Sequence, residues 1–156
     1  MTQALSCPIC SLHRDVSRLG GDEIWRNDRW LLRHHADPAP LVGWCLLDSR
    51  RHLGGPIDFV PEEAAEWGHV VMRATQLVKR VSGCDRVYAI AFGEGARHLH
   101  LHLIPRHGSD PRTSAWSVAD LYRQIEAGDQ QPVPRADVAR FLATARQLAS
   151  ACLDWP

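Results

Sequence analysis

The sequence predicts an α+β fold: an antiparallel β-sheet of about five strands with a long helix packed on it and additional helices near the C-terminal end. Three observations carry this reading. Short runs of β-forming residues flank turn signals before residue 53 and again after residue 85. A single long stretch beginning at Pro61 has helical periodicity instead. Strands, then a helix, then strands again with mostly short connections suit an antiparallel sheet better than repeated βαβ units.

Each element has a local justification. In "EIWRNDRWLLRH" two strand-like runs flank Asn27-Asp28, a turn-forming pair, so the segment reads as a hairpin. After the proline-bearing loop "HADPAP", the segment "LVGWCLLDSRRH" supplies another buried strand, ending in charge and at His52. From Pro61, the residues Ala64, Ala65, Trp67, Val70, Val71, Ala74, Leu77, Val78 and Val81 fall on one helical stripe. Pro61 suits a first turn, Glu62 and Glu63 complement the positive end of the helix dipole, and Ser82-Gly83 supplies the stop. "RVYAIAF" returns as a strand, "GEGAR" turns, and "HLHLHLI" forms the next strand, which Pro105 is expected to end. A helix from Ser117, with Asp120 placed as in a capping box, and a helix from Pro134 to about Cys152 complete the chain.

Bulk properties narrow the function. The 156 residues suit one domain, and 45% hydrophobic content is enough for one core. Eighteen basic and 18 acidic residues leave a formal net charge of zero, so no bulk attraction to nucleic acid or an anionic membrane is expected. Lys79 is the lone lysine, which removes most candidates for Schiff-base chemistry. An odd count of five cysteines and a start, "MTQALS", without a basic or apolar leader point to a reducing, cytoplasmic setting. No apolar run approaches the ~18 residues that a membrane span requires.

The stretch "HLHLHLIPR", His98 to Arg106, carries the chemistry. In a strand, His98, His100 and His102 share one face and Leu99, Leu101 and Leu103 the other. The leucines serve the core. Imidazole supplies a reversible proton, a nitrogen nucleophile or a metal bond near neutral pH, none of which serine, threonine or lysine supplies in the same way. Cys7 and Cys10 have the spacing of half a zinc site, and the other half must come from elsewhere in the chain.

"HLHLHLI" resembles the His-x-His-x-His motif, with x apolar, of the histidine triad family. The context is similar too: an N-terminal Cys-x-x-Cys, a hairpin, a strand ending in "RRH", the helix "PEEAAEWGHVVMRA" and a strand leading into the triad. The resemblance covers about Cys7 to Arg106, within a single domain, 1–156, that has a triad-bearing core, about 7–108, and a helical C-terminal region, about 109–156, that is not diagnostic. It implies a nucleotidyl hydrolase or transferase acting at the α-phosphate of a nucleotide conjugate, a dinucleoside polyphosphate or a nucleoside phosphoramidate. By motif position, His100 would be the nucleophile and His102 would contact the phosphate and bridging oxygen and assist the leaving group. In the zinc-containing branch, two histidines complete the Cys-x-x-Cys site. Here these would be His52 and His98, giving a closed structural zinc site of Cys7, Cys10, His52 and His98. A homodimer burying the long helix and one sheet edge is also implied.

Two departures limit the carry-over. The family's Gly-Gln phosphate segment is replaced by "FGEGARHLH", where Arg97 or Arg106 could supply charge, and Gly43-Trp44 stands where Gly-His is frequent, a change expected to alter only packing. Asn27, in the turn where the family's base and ribose pocket forms, is a candidate substrate contact, although turn propensity alone explains it. Two alternatives stay open: a nucleotide-binding regulatory module with little turnover, and a hydrolase whose triad grips a catalytic metal. Among the remaining residues, His13, His34, His35 and His69 read as surface groups, and Cys45, Cys84 and Cys152 as buried apolar residues. Trp116 and Trp155 are either core residues or aromatics reaching the active site.

Overall fold

A computed structural model describes residues 6–19, 21–151 and 155–156, apart from the side chain of residue 16. The sequence reading contains no helix before the hairpin, but among the described residues the structure places two short ones there: α1 (Pro8–Arg14) and α2 (Val16–Leu19). Pro8 in the first turn and His13 and Arg14 in the last turn of α1 are favourable signals that its shortness hid. The hairpin follows as β1 (Glu23–Arg26) and β2 (Trp30–His34), then β3 (Cys45–Ser49). The long helix is α3 (Pro61–Ser82), after which come β4 (Arg86–Ile90), β5 (His100–Arg106), α4 (Ser117–Ala127) and α5 (Arg135–Ala151).

The five strands form one antiparallel sheet in the order β1-β2-β3-β5-β4. The helix α3 carries the chain from β3 past the place that β5 later fills, to the β4 edge. As the sequence predicts, α3 begins at Pro61 and stops at Gly83, whose φ of 65° is the left-handed conformation that glycine tolerates. The Glu63 carboxylate accepts from the Val60 backbone N–H at 3.0 Å, tying down the first turn.

The sheet is covered unequally on its two faces. Trp30, Leu32, Cys45, Leu47, Leu101 and Leu103 face α3 and α5, where they meet Val70, Ala74, Leu77, Val78, Val138, Phe141 and Leu142 in the main core. On the opposite face, Trp44 and Ile104 pack with Val118, Leu121 and Ile125 of α4. The capping box expected at the start of α4 is not formed: Trp116 occupies the N-cap without a side-chain bond, and Asp120 pairs with Arg123. The expected helix from Pro134 begins at Arg135, and Cys152 lies outside the described residues.

Strand β5 differs from its predicted bounds at both ends. Pro105 does not end it; the strand continues to Arg106, with Pro105 opposite Val87. The last β3 partner is Leu103, so Pro105 lies where β5 is paired on the β4 side only and a missing N–H is tolerated. At the other end β5 starts at His100, not His98. Leu99 just before it donates to the Leu53 carbonyl and accepts from the Ser49 N–H, which holds the lead-in against the end of β3.

Candidate functional site

His100 and His102 project from one face of β5, opposite Asp48 and Leu46 of β3. Their ring centroids lie 5.2 Å apart. The His100 Nδ1–H donates to the His98 carbonyl at 2.6 Å, so in the neutral ring Nε2 carries the free lone pair. His100 is half-buried. His102 is only 5% exposed, and its Nδ1 accepts from the Trp44 indole N–H at 3.0 Å. The indole nitrogen can only donate, so the single proton of neutral His102 sits on Nε2. Burial, then the neighbouring His100, His35 and Arg33, push the His102 pKa down to about 3. The pair therefore presents an open lone pair beside an N–H donor, the combination that nucleophilic attack on phosphorus with stabilisation of the departing oxygen requires.

His98 does not continue the row. It lies before the strand, where its Nε2–H donates to the Ser49 carbonyl at 2.6 Å and its Nδ1 turns to the cysteines. This orientation gives His98 to the cysteines and leaves His100 and His102 as the pair on the strand face. Cys7 Sγ lies 3.5 Å from His98 Nδ1, and Cys10 Sγ lies 3.4 Å from the Nδ1 atoms of both His98 and His52. Bonds of about 2.3 Å to sulfur and about 2.0 Å to nitrogen at tetrahedral angles imply sulfur–nitrogen edges of about 3.5 Å. The four ligand atoms of Cys7, Cys10, His52 and His98 all lie within 4.8 Å of one another. The residues thus fit one tetrahedral zinc ion, and the Ser49 carbonyl fixes the ligand tautomer of His98.

A second buried cluster flanks the triad. Asp48, fully buried and opposite His100, accepts from Arg33 Nε at 2.7 Å and from His13 Nε2 at 2.9 Å. Burial alone would raise its pKa, but the Arg33 charge and the His13 and Arg33 hydrogen bonds outweigh it and hold Asp48 at about 2. His13 is therefore not the solvated residue expected from the sequence; it brings α1 onto the triad face of β3. His34 also departs from its expected surface position. It is fully buried, donates from Nδ1 to the His35 carbonyl and accepts at Nε2 from the Gly43 N–H, both at 2.9 Å. Burial holds its pKa at about 4, the neutral form this bonding needs. His35 is half-buried against Trp44 and Tyr122, while His69 is exposed as expected. Cys45 and Cys84 are buried, again as expected.

The structure gives the other candidates different surroundings. Arg97 is exposed in the loop before the triad, as is Phe92, whose ring lies 5.0 Å from that of His102. Arg106 is turned away, donating to the Asp110 carbonyl and to Thr113 Oγ1 at 2.9 Å each. Asn27 accepts from the Arg29 and Trp30 N–H groups and donates to the Pro156 carbonyl, so its amide is committed to the hairpin turn and the chain end. Trp155 stacks on Trp25 at 4.2 Å, and Trp116 is 89% exposed. A cleft of about 340 Å³ lined by Val42, His107, Arg140 and Phe141 contains none of the predicted site residues.

Sequence reasoning missed Trp44, Asp48, Arg33 and Tyr122 as parts of this neighbourhood. The available signal was a charge within each of two apolar strands, "WLLRH" and "CLLDS".

The fold is that of the histidine triad proteins, and this chain carries its three histidines on β5 and the lead-in to it. It is similar to a zinc-bound histidine triad family protein from Mycobacterium smegmatis, with TM-score 0.66, 21% identity and coverage of 96% of this chain and 99% of that one. A histidine triad protein from Bradyrhizobium japonicum matches with TM-score 0.61, 25% identity and coverage of 84% and 93% respectively. A hypothetical histidine triad nucleotide-binding protein from Sulfolobus tokodaii matches with TM-score 0.66, 16% identity and 93% of each chain covered. No protein-family model and no curated protein matches the sequence.

Proposed function

We propose that this protein is a histidine triad nucleotidyl hydrolase or transferase, acting at the α-phosphate of a dinucleoside polyphosphate or nucleoside phosphoramidate. The observation that carries the reading is the His98 carbonyl bond to His100 Nδ1, which leaves Nε2 free beside the His102 N–H donor. His100 Nε2 attacks the α-phosphorus, the bond to the leaving group breaks, and His102 Nε2–H hydrogen-bonds the departing atom. Water then attacks the nucleotidylated His100 and releases the mononucleotide; another acceptor in place of water makes the same chemistry a transfer. Arg97 lies in the loop beside the triad and is the candidate phosphate contact of this scheme.

The test is product analysis with a panel of adenosine and guanosine phosphoramidates and dinucleoside polyphosphates. The expected product is a nucleoside 5′-monophosphate from at least one conjugate. Binding of intact conjugates without any product would instead support a regulatory module, a reading favoured by the replacement of the family's phosphate segment with "FGEGARHLH".

Cys7, Cys10, His52 and His98 hold zinc in this reading, and a bound ion ties α1 to the end of β3 and the lead-in to β5. With all four positions filled by protein ligands, a bound ion would have no open coordination site and would serve a structural role. The purified protein should contain about one zinc per chain, as elemental analysis would show. Chelation or Cys10→Ala should lower the melting temperature, with activity declining only as the fold is lost. Activity lost at full fold retention would assign the ion a catalytic role. A homodimer and a cytoplasmic setting belong to the same proposal; among the described residues no helix is long and apolar enough to cross a membrane.

A further inference from the structure

The bond from Trp44 to His102 limits the proton chemistry available to the site, and through it the substrate. To hand a proton to a leaving group and remain neutral, His102 must begin with protons on both ring nitrogens. Its Nδ1 faces the indole N–H at 3.0 Å, and a proton there would set two donors against each other. The indole is held in place. Trp44 is fully buried, with Tyr122 of α4 at 5.7 Å and His35 at 5.9 Å between ring centroids.

The surroundings also resist a second positive charge on His102. His100 is its ring neighbour, Phe92 covers another side, and the Arg33 guanidinium lies on the same face of the sheet. The nearby carboxylate, Asp48, is already engaged by Arg33 and His13, and Tyr122 has Glu126 as its charged neighbour. The low pKa of His102 agrees with this arrangement.

We propose that Trp44 is a positioning residue that keeps His102 a hydrogen-bond donor and prevents it from acting as a proton donor, making the site selective for phosphoanhydrides over phosphoramidates. The inference rests on the covalent His100 reading above and narrows its substrate class. With an anhydride, the His100 Nε2 lone pair forms the N–P bond while the bridging P–O bond breaks. The electron pair stays on the oxygen, which departs as a phosphate or nucleotide anion needing no proton, steadied by the His102 Nε2–H. With a phosphoramidate, the pair from the broken P–N bond goes to nitrogen, which needs a proton to leave as an amine. Neutral His102 could give one only by becoming an imidazolate. In the second half-reaction water forms the new P–O bond, the P–N bond to His100 breaks with its pair returning to Nε2, and the water proton passes to solvent.

The experiment compares kcat/KM for dinucleoside polyphosphates and nucleoside phosphoramidates of adenosine and guanosine in the wild type, Trp44→Phe and His100→Ala, with nitrogen-15 NMR of the His102 ring. The wild type should favour the anhydride by about 100-fold or more, the scale of the missing general-acid contribution. Its NMR signature should be a single Nε2–H tautomer. Trp44→Phe keeps the aromatic bulk but removes the donor, so the preference should shrink about tenfold or more and the fixed tautomer should be lost. Should the variant not fold, the wild-type preference and tautomer still decide the matter. Phosphoramidate turnover equal to or faster than anhydride turnover, lost in His100→Ala, would overturn the inference and leave the covalent reading standing. A protonated Nδ1 in the wild type would overturn it as well. Absence of His100-dependent turnover with both substrates would remove the covalent reading, and this inference with it.

Discussion

Replacing His100 with alanine is expected to lower turnover by about 1,000-fold or more, equivalent to about 4 kcal/mol of transition-state stabilisation, while leaving the fold intact. The catalytic loss is large because the variant has no nitrogen with which to form the covalent bond, and His102, buried under Trp44, is not placed to substitute. The structural cost is small because His100 is half-buried and lies outside both hydrophobic clusters. Its Nδ1–H bond to the His98 carbonyl orients the ring and links no separate elements. Steady-state kinetics and thermal melts on the same preparations check both halves. A variant that retains turnover within tenfold of the wild type would remove His100 from the role of nucleophile.

The second large effect concerns stability. Asp48→Ala is expected to destabilise the fold by about 3–5 kcal/mol, because it strands the buried Arg33 guanidinium and the His13 ring. For a chain of this length that corresponds to a melting temperature lower by roughly 6–20 °C. Replacing both charges, Asp48→Leu with Arg33→Met, should cost less than Asp48→Ala alone, since no buried charge is left unpaired.

The same group sets a pH dependence. The folded pKa of Asp48, about 2, lies below its ordinary value of 3.8, so its contribution is fully present above that ordinary value. That contribution, about 2 kcal/mol, is lost as the pH falls from about 4 through about 2. His34 adds a loss that begins earlier: its folded value of about 4 lies below 6.5, so the unfolded chain takes up the proton first as the pH falls through that window. Denaturant midpoints between pH 7.5 and pH 3 should fall continuously below about 6.5, and Asp48→Asn should flatten the part below about 4. A midpoint independent of pH across this range would contradict both assignments.

The parts of the site legible in the sequence are those that depend on local spacing. The alternation of "HLHLHL" places His100 and His102 on one face whatever the sheet does, and the period of "PEEAAEWGHVVMRA" fixes the helix that covers the other. Cys7 and Cys10 announce half a metal site for the same reason. Spacing does not identify His52 and His98 as their partners, which only the family resemblance implies, and the fold brings the four together. What spacing did not reveal depends on register and on the ends of elements. His98 turns toward the cysteines because β5 starts two residues after it, and the Ser49 carbonyl that receives it belongs to a neighbouring strand.

Asp48 and Arg33 each read as an anomaly inside an apolar strand. Only the β2–β3 register, which sets Arg33 opposite Leu46 and Leu31 opposite Asp48, brings the two charges onto one face and within reach of each other. Trp44 illustrates the same limit. At a position where histidine is frequent among the proteins it resembles, it read as a packing substitution, and its indole N–H is directed at a residue 58 positions away. The expected capping box at Ser117 failed because the helix start was settled by packing of Val118 and Leu121 on Trp44 and Ile104 and not by the side chain of the preceding residue.

The most direct test of the central claim is the intact mass of the protein after a few seconds with a dinucleoside polyphosphate or phosphoramidate, quenched in alkaline denaturant to preserve a phosphorus–nitrogen bond. The account predicts an added nucleoside monophosphoryl group on the wild type, mapped to His100, that decays with release of the mononucleotide and is absent from His100→Ala. Mononucleotide produced at the wild-type rate with no adduct, or an adduct that persists in His100→Ala, would contradict it.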